Sequence, residues 1–179
     1  MKFNDFSMLQ GLILIKPKIF KDRRGFFLES YRKNVFFNEN IDVNFIQENH
    51  SFSTHGTIRG MHFQEKVEQD KLINVVNGKI FDVAVDIRKN SPTYGQWQGV
   101  ILDGDNCYSF FIPKGFAHGF CVLTQNAHLV YKVSNYYDPA LSKGFKWNDP
   151  DINITWPIQK PIISEQDEKA AFLKDIIRD

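Results

Sequence analysis

Residues 79–88, KIFDVAVDIR, set Phe81, Val83, Val85 and Ile87 against Ile80, Asp82, Ala84 and Asp86 in strict alternation. A period of two places these sets on opposite faces of a β-strand. A second run, 96–102, follows it, and a third, 128–133, alternates Leu129, Tyr131 and Val133 with His128, Val130 and Lys132. The dipeptides Asn77-Gly78 and Asp103-Gly104 bracket the first two runs. Both suit type I′ hairpins, whose two positive φ angles favour Asn, Asp and Gly. Prolines at 92, 113, 139, 150, 157 and 161 fall between the runs, where they remove no ladder hydrogen bond. Short strands at this spacing predict an antiparallel sandwich or barrel. Only the tail, residues 164–178, reads as a helix, with Ser164 as N-cap and carboxylates in its first turn. With no linker composition anywhere, residues 1–179 are expected to form a single all-β domain with a short C-terminal helix.

Composition strengthens the β assignment. Aromatic residues make up 15% of the 179-residue chain and phenylalanine alone occurs 17 times. Aromatic side chains favour strands and bury large areas. The net charge is +1, with both signs mixed along the length, so the concentrated basic field of a nucleic-acid binder is absent. No apolar run approaches the roughly 20 residues of a membrane span. The N-terminal stretch carries an early acid and no small-residue cleavage site, and a cytoplasmic location is expected. Cys107 and Cys121 are the only cysteines and form no CxxC pair, which argues against a disulfide framework or a structural zinc site.

Candidate chemistry lies in DRRGFFLES (22–30), FIQENHS (45–51), RGMHFQ (59–64), QDKL (69–72) and PKGFAHGF (113–120), joined by Tyr131 and Asp167. Singly, each has an ordinary explanation. His62 in an apolar run fits a satisfied core histidine, Lys71 a snorkelling strand edge, Arg24 and Arg59 surface charges, and Asp167 a first-turn helix acid. Jointly, a histidine, a lysine, a tyrosine, two arginines and a carboxylate are what enolisation beside a ketone requires. A base removes the α-proton, a cation holds the enolate oxygen, and an acid returns a proton on the opposite face.

The ordered motifs RGMHFQ, QDKL, VNGKIFDVAVDIRKNSPTYGQWQGVILDGDN, FFIPKGFAHGFCVL, YKVSNYYDP, KWNDPDINITWP and PIISEQD closely resemble the dTDP-4-dehydrorhamnose 3,5-epimerase family over residues 11–167. The resemblance implies a cupin-like double-stranded β-helix (jelly roll), usually a homodimer, with no metal or nucleotide cofactor. It implies a dTDP-4-keto-6-deoxy-hexose substrate inverted at C3 and C5, on the route to dTDP-L-rhamnose. Carried over motif by motif, it makes His62 the base, Asp167 its orienting partner, Lys71 the group at the C4 oxygen and Tyr131 the acid. It assigns Arg24 and Arg59 to the pyrophosphate, and Glu29, Gln47 and Asn49 to the nucleotide and sugar. His118 falls beside the base–acid pocket, Phe26 near the thymine, and Tyr137 at a pocket tyrosine. Departures are small: Met61 and Phe63 replace the family's usual leucine and tyrosine, and Asp70 stands where glycine is common, beside Lys71.

Three other readings share these residues. A metal-dependent cupin would use His118 as a ligand, but its paired histidines are represented here only by His62-Phe63-Gln64. A relative inverting only C3 or only C5 would keep the same base and lysine. A non-catalytic sugar-nucleotide-binding cupin would have lost His62, Lys71 or Tyr131, and all three are present.

Overall fold

The computed structural model describes residues 1–6 and 9–176. Two antiparallel sheets face one another. The first runs in the order β1 (Lys2–Asp5), β2 (Ile13–Lys16), β10 (Ser109–Ile112), β7 (Lys71–Asn77), β12 (Asn126–Val133), β5 (Gln47–Thr54). The second runs β13 (Ser142–Gly144), β6 (Ile58–Gln64), β11 (Phe116–Val122), β8 (Lys79–Asp86), β9 (Trp97–Asp103). A separate two-stranded ribbon joins β3 (Ile19–Asp22) to β4 (Gly25–Leu28). The expected all-β jelly roll of cupin type is what forms.

The alternation in the sequence sorts the core. In β8, Ile80 and Ala84 join Ile73, Val75, Phe110, Phe120 and Leu129 in the cluster between the two sheets. Val83 and Val85, one residue out of phase, enter a second cluster outside the five-stranded sheet, covered by Phe145, Ile152, Ile154 and Leu173. The outer face of the six-stranded sheet is covered in turn. A helix absent from the sequence reading, α1 (Lys33–Asn38), seats Phe36 with Ile41 over Ile13, Ile15, Leu72 and Phe111. Each of these fully buried side chains contributes roughly 1.5–3 kcal/mol by leaving water. Cys121 is buried, both cysteines are free, and burial pushes the Cys121 thiol up to about 11.

Two local expectations are corrected. Asn77-Gly78 and Asp103-Gly104 are not hairpin turns. Each carries the chain across the sandwich, from β7 to β8 and from β9 towards β10, because the flanking strands belong to opposite sheets. Gly78 (φ +81°) is required there, since a Cβ would lie 2.1 Å from the Asn126 carbonyl oxygen. The tail is also not one helix. It breaks into α2 (Glu165–Glu168) and α3 (Leu173–Ile176), while Ile177 and Arg178 lie outside the described residues. The break comes from tertiary bonding that outcompetes helix propagation. Lys146 N–H donates to the Ala171 carbonyl at 3.0 Å, and Leu173 N–H to the buried Asp149 at 2.7 Å. Ser164 caps α2 as expected, its Oγ accepting from Asp167 N–H at 3.1 Å.

Gly78→Ala combines a left-handed backbone with a clash against a neighbouring strand. It should lower stability by at least about 2 kcal/mol, read as a fall in urea midpoint at unchanged slope. An unchanged midpoint would contradict the crossing geometry.

Candidate active site

Between the sheets lies a cavity of about 470 Å³. Its walls come from both sheets: β6 supplies Arg59, His62 and Gln64, and β11 supplies His118, directly opposite His62 in register. From the facing sheet, β7 supplies Lys71, β12 supplies Tyr131, and β5 supplies Gln47, Asn49 and Ser51. Gln47, Asn49 and Ser51 share one phase of β5, and His62 and Gln64 one phase of β6, while the register shift between β6 and β11 brings Arg59, three residues before His62, into the same space. Where β6 and β11 approach, Gly60 and Gly119 leave no room for a side chain: a Cβ on Gly60 would sit 2.6 Å from Gly119 Cα.

His62 Nε2 lies 2.6 Å from Asp167 Oδ1, across 105 positions of sequence. The other carboxylate oxygen accepts from Gly60 N–H at 3.4 Å. Burial alone would raise the Asp167 pKa. The His62 hydrogen bond and charge, with help from Gly60 and Ser164, outweigh it and hold the carboxyl below its ordinary value. An ionised Asp167 fixes the imidazole with Nε2 as donor and leaves Nδ1 free to accept a proton.

Lys71 is 9% exposed. Burial pushes its ammonium down to about 8, against the opposing attraction of Asp82. Asp82, on β8, is fully buried and receives His118 Nε2 at 3.0 Å from each carboxylate oxygen. Tyr131 is raised above the ordinary phenol value by burial, with Arg59 and an Asn49 hydrogen bond acting the other way. At neutral pH the phenol therefore keeps its proton and is available as a donor. A base, a buried cation and an undissociated phenol thus share one enclosure, which is what proton exchange beside a carbonyl requires.

The sequence matches the dTDP-4-dehydrorhamnose 3,5-epimerase family profile over residues 7–175. The chain belongs to this family. A dTDP-4-dehydrorhamnose 3,5-epimerase of Shigella flexneri is 50% identical over 162 residues, covering 89% of each chain. A dTDP-6-deoxy-D-glucose-3,5-epimerase of Legionella pneumophila Philadelphia 1, solved with dTDP-4-keto-L-rhamnose, superposes with a TM-score of 0.94. It is 42% identical and the match covers 99% of this chain and 94% of that one. A dTDP-4-dehydrorhamnose 3-epimerase of Streptomyces niveus is 37% identical over 93% of this chain and 82% of its own.

Within this epimerase-family chain the expected residues divide into two groups. His62, Lys71, Tyr131, Arg59, Gln47, Asn49, His118 and Tyr137 line the cavity, with Asp167 directly behind His62. Arg59 is oriented by Ser53 Oγ, which accepts from Nε at 2.9 Å, and by the Phe52 carbonyl at 3.2 Å. Arg24, Phe26 and Glu29 are not among the lining residues. The ribbon β3–β4 carries Arg24 and Phe26 outward, Arg24 84% exposed and paired with Asp22, while Glu29 follows it and pairs with Arg32.

Asp82, Gln64, Gln69, Gln166 and Ser51 were not anticipated. Asp82 had a visible signal, a carboxylate in the same strand phase as Ile80 and Ala84. Asp70 turns away from the site: its carboxylate accepts from Lys114 N–H at 3.1 Å and from Ser134 Oγ at 2.9 Å. Among the described residues no group of three or more His, Cys, Asp or Glu side chains is placed to hold a metal ion.

The depressed Lys71 has a measurable consequence. Unfolded, it holds its proton to the ordinary 10.5; folded, only to about 8. Between those values the unfolded state binds more protons, so the lysine's contribution to stability rises with pH. Below about 8 it costs roughly 3 kcal/mol. Lys71→Met should therefore be more stable than the parent near pH 7, with the gap closing towards pH 10.5 in parallel urea titrations. A variant less stable at pH 7 would contradict the balance of burial over attraction.

Proposed function

We propose that the chain converts dTDP-4-dehydro-6-deoxy-D-glucose to dTDP-4-dehydro-L-rhamnose by inverting C3 and C5. The observation carrying this reading is that His62, backed by Asp167, and Tyr131 enter one cavity from opposite sheets, with buried Lys71 lining it. The C4 ketone acidifies the hydrogens on both neighbouring carbons. His62 Nδ1 takes one proton, and the electron pair moves to the C4 oxygen, where the Lys71 ammonium stabilises the enolate. Tyr131 then gives its proton to the opposite face of the same carbon and the ketone re-forms. His62 and Tyr131 are reset through solvent, the ring turns, and the second carbon meets the same groups. Carbon neither gains nor loses oxidation state, so these steps call on no redox cofactor. Arg59 and Asn49 hold substrate beside them.

The whole chain acts as one epimerase domain in the cytoplasm, as a homodimer, without nucleic-acid or membrane partners. Among the described residues no helix is long and apolar enough to cross a membrane. The dimer is supported by the β3–β4 ribbon, which exposes Phe20, Phe26 and Phe27, the last at 69%. Arg24 and Phe26 on this ribbon, with Glu29 just beyond it, reach nucleotide when the ribbon meets a second copy's cavity. Sedimentation at micromolar concentration should give twice the chain mass, and Phe27→Asp should shift it towards monomer. A parent that stays monomeric would remove the dimer.

Proton NMR of dTDP-4-keto-6-deoxyglucose in deuterated water with the purified protein tests the reaction. Both the C3 and C5 signals should disappear, and His62→Ala should abolish both losses. Loss at one carbon would favour the single inversion of the Streptomyces niveus relative's kind. No exchange at either would overturn the proposal.

A further inference from the structure

Residues 134–138 reach the cavity through Tyr137, yet side chains hold much of this segment's backbone. Gln64 is 4% exposed. Its Nε2 donates to the Val67 carbonyl at 2.8 Å and the Tyr136 carbonyl at 3.1 Å, and its Oε1 accepts from Asp138 N–H at 2.7 Å. Both amide hydrogens and one oxygen lone pair are thereby used. The groups gripped lie immediately before and after Tyr137. Tyr137 N–H itself donates to Gln47 Oε1 at 3.0 Å. Further along, Gln69 Nε2 donates to the Asn135 carbonyl at 2.8 Å, and Asn135 Nδ2 to the Glu68 carbonyl.

Gln47 lies on β5 and Gln64 on β6, so the clamp takes one arm from each sheet at the cavity wall. Gln64 is also two residues beyond His62 on the same strand and phase, a rise of roughly 6.6 Å. The strand that aims the base thus also fixes the Tyr137 wall. Tyr137 is 56% exposed and has little packing of its own to hold it. A buried amide with three partners has one satisfied arrangement, and a displaced segment would strand its hydrogen bonds.

From this placement we infer that Gln64 is a positioning residue for the epimerisation, acting through Tyr137 to hold the wall against which the sugar seats. This rests on the epimerase reading, and the tests separate the two. The effect on the backbone is read without substrate. In Gln64→Met the peptide covering 134–139 should exchange amide hydrogen faster, while peptides from β8 and β11 keep parental protection. Gln64→Glu, which keeps the acceptor but turns a carboxylate towards two carbonyls, should behave likewise, with Gln64→Asn too short to rescue it.

The effect on catalysis is read by a double-mutant cycle. Gln64→Met should lower kcat/KM roughly ten- to hundred-fold, the scale of a misplaced wall, and Tyr137→Ala by a similar factor. The double variant should be no worse than Tyr137→Ala alone. Multiplying losses would mean that Gln64 acts independently of Tyr137 and would overturn the inference. So would unchanged exchange at 134–139. If the parent proved inactive on the sugar nucleotide, the epimerase reading would fail, and the exchange measurement would still decide whether Gln64 holds the segment.

Discussion

Lys71 and Asp82 are buried inside a sandwich alongside the apolar Ile73, Ile80, Ala84 and Leu129. A charge moved there loses its hydration, and only opposite charge and hydrogen bonds offset that loss. Asp82 is answered by His118 at both oxygens and by the attraction of Lys71. Asp167 is answered by the His62 imidazole and by Gly60 N–H. The residues to which the proposed chemistry falls are therefore also among those whose burial the fold must compensate. The apolar clusters on both outer faces supply the stability that makes such a charged interior tolerable.

The polarity of the cavity also explains why its groups differ in protonation. Lys71 is near the point of losing its proton, Tyr131 is far from losing its own, and Asp167 keeps its charge through partners. Three groups that would titrate conventionally in water are given three different protonation behaviours by how deeply each is buried and what faces it.

Much of this was legible in the residues. Alternation in 79–88 identified β8, because a central strand buried on both faces still separates its phases into two clusters. The cavity residues could be named from motifs because strand phase then brings them together. What alternation does not encode is which sheet a strand joins. Asn77-Gly78 looks like a hairpin because the same positive-φ glycine serves a turn within a sheet and a crossing between sheets. The tail reads as one helix because local propensity is blind to the Ala171 and Leu173 bonds with residues 146 and 149. α1 was missed for a similar reason: its sequence KNVFFN lacks caps and periodic charge, and its helicity follows from Phe36 docking. Arg24, Phe26 and Glu29 carry a motif whose location depends on where the ribbon goes, and a motif contains no such information.

Asp167 reaches His62 only because the tail is laced back onto the start of β6, with Ile162 bridging Thr57 and Ser164 capping α2. On a ribosome the strands of the sandwich emerge before this segment. A nascent chain can therefore close its core and still lack an oriented imidazole. Orientation of His62 follows closure of the sandwich and waits on the arrival of residues 162–167.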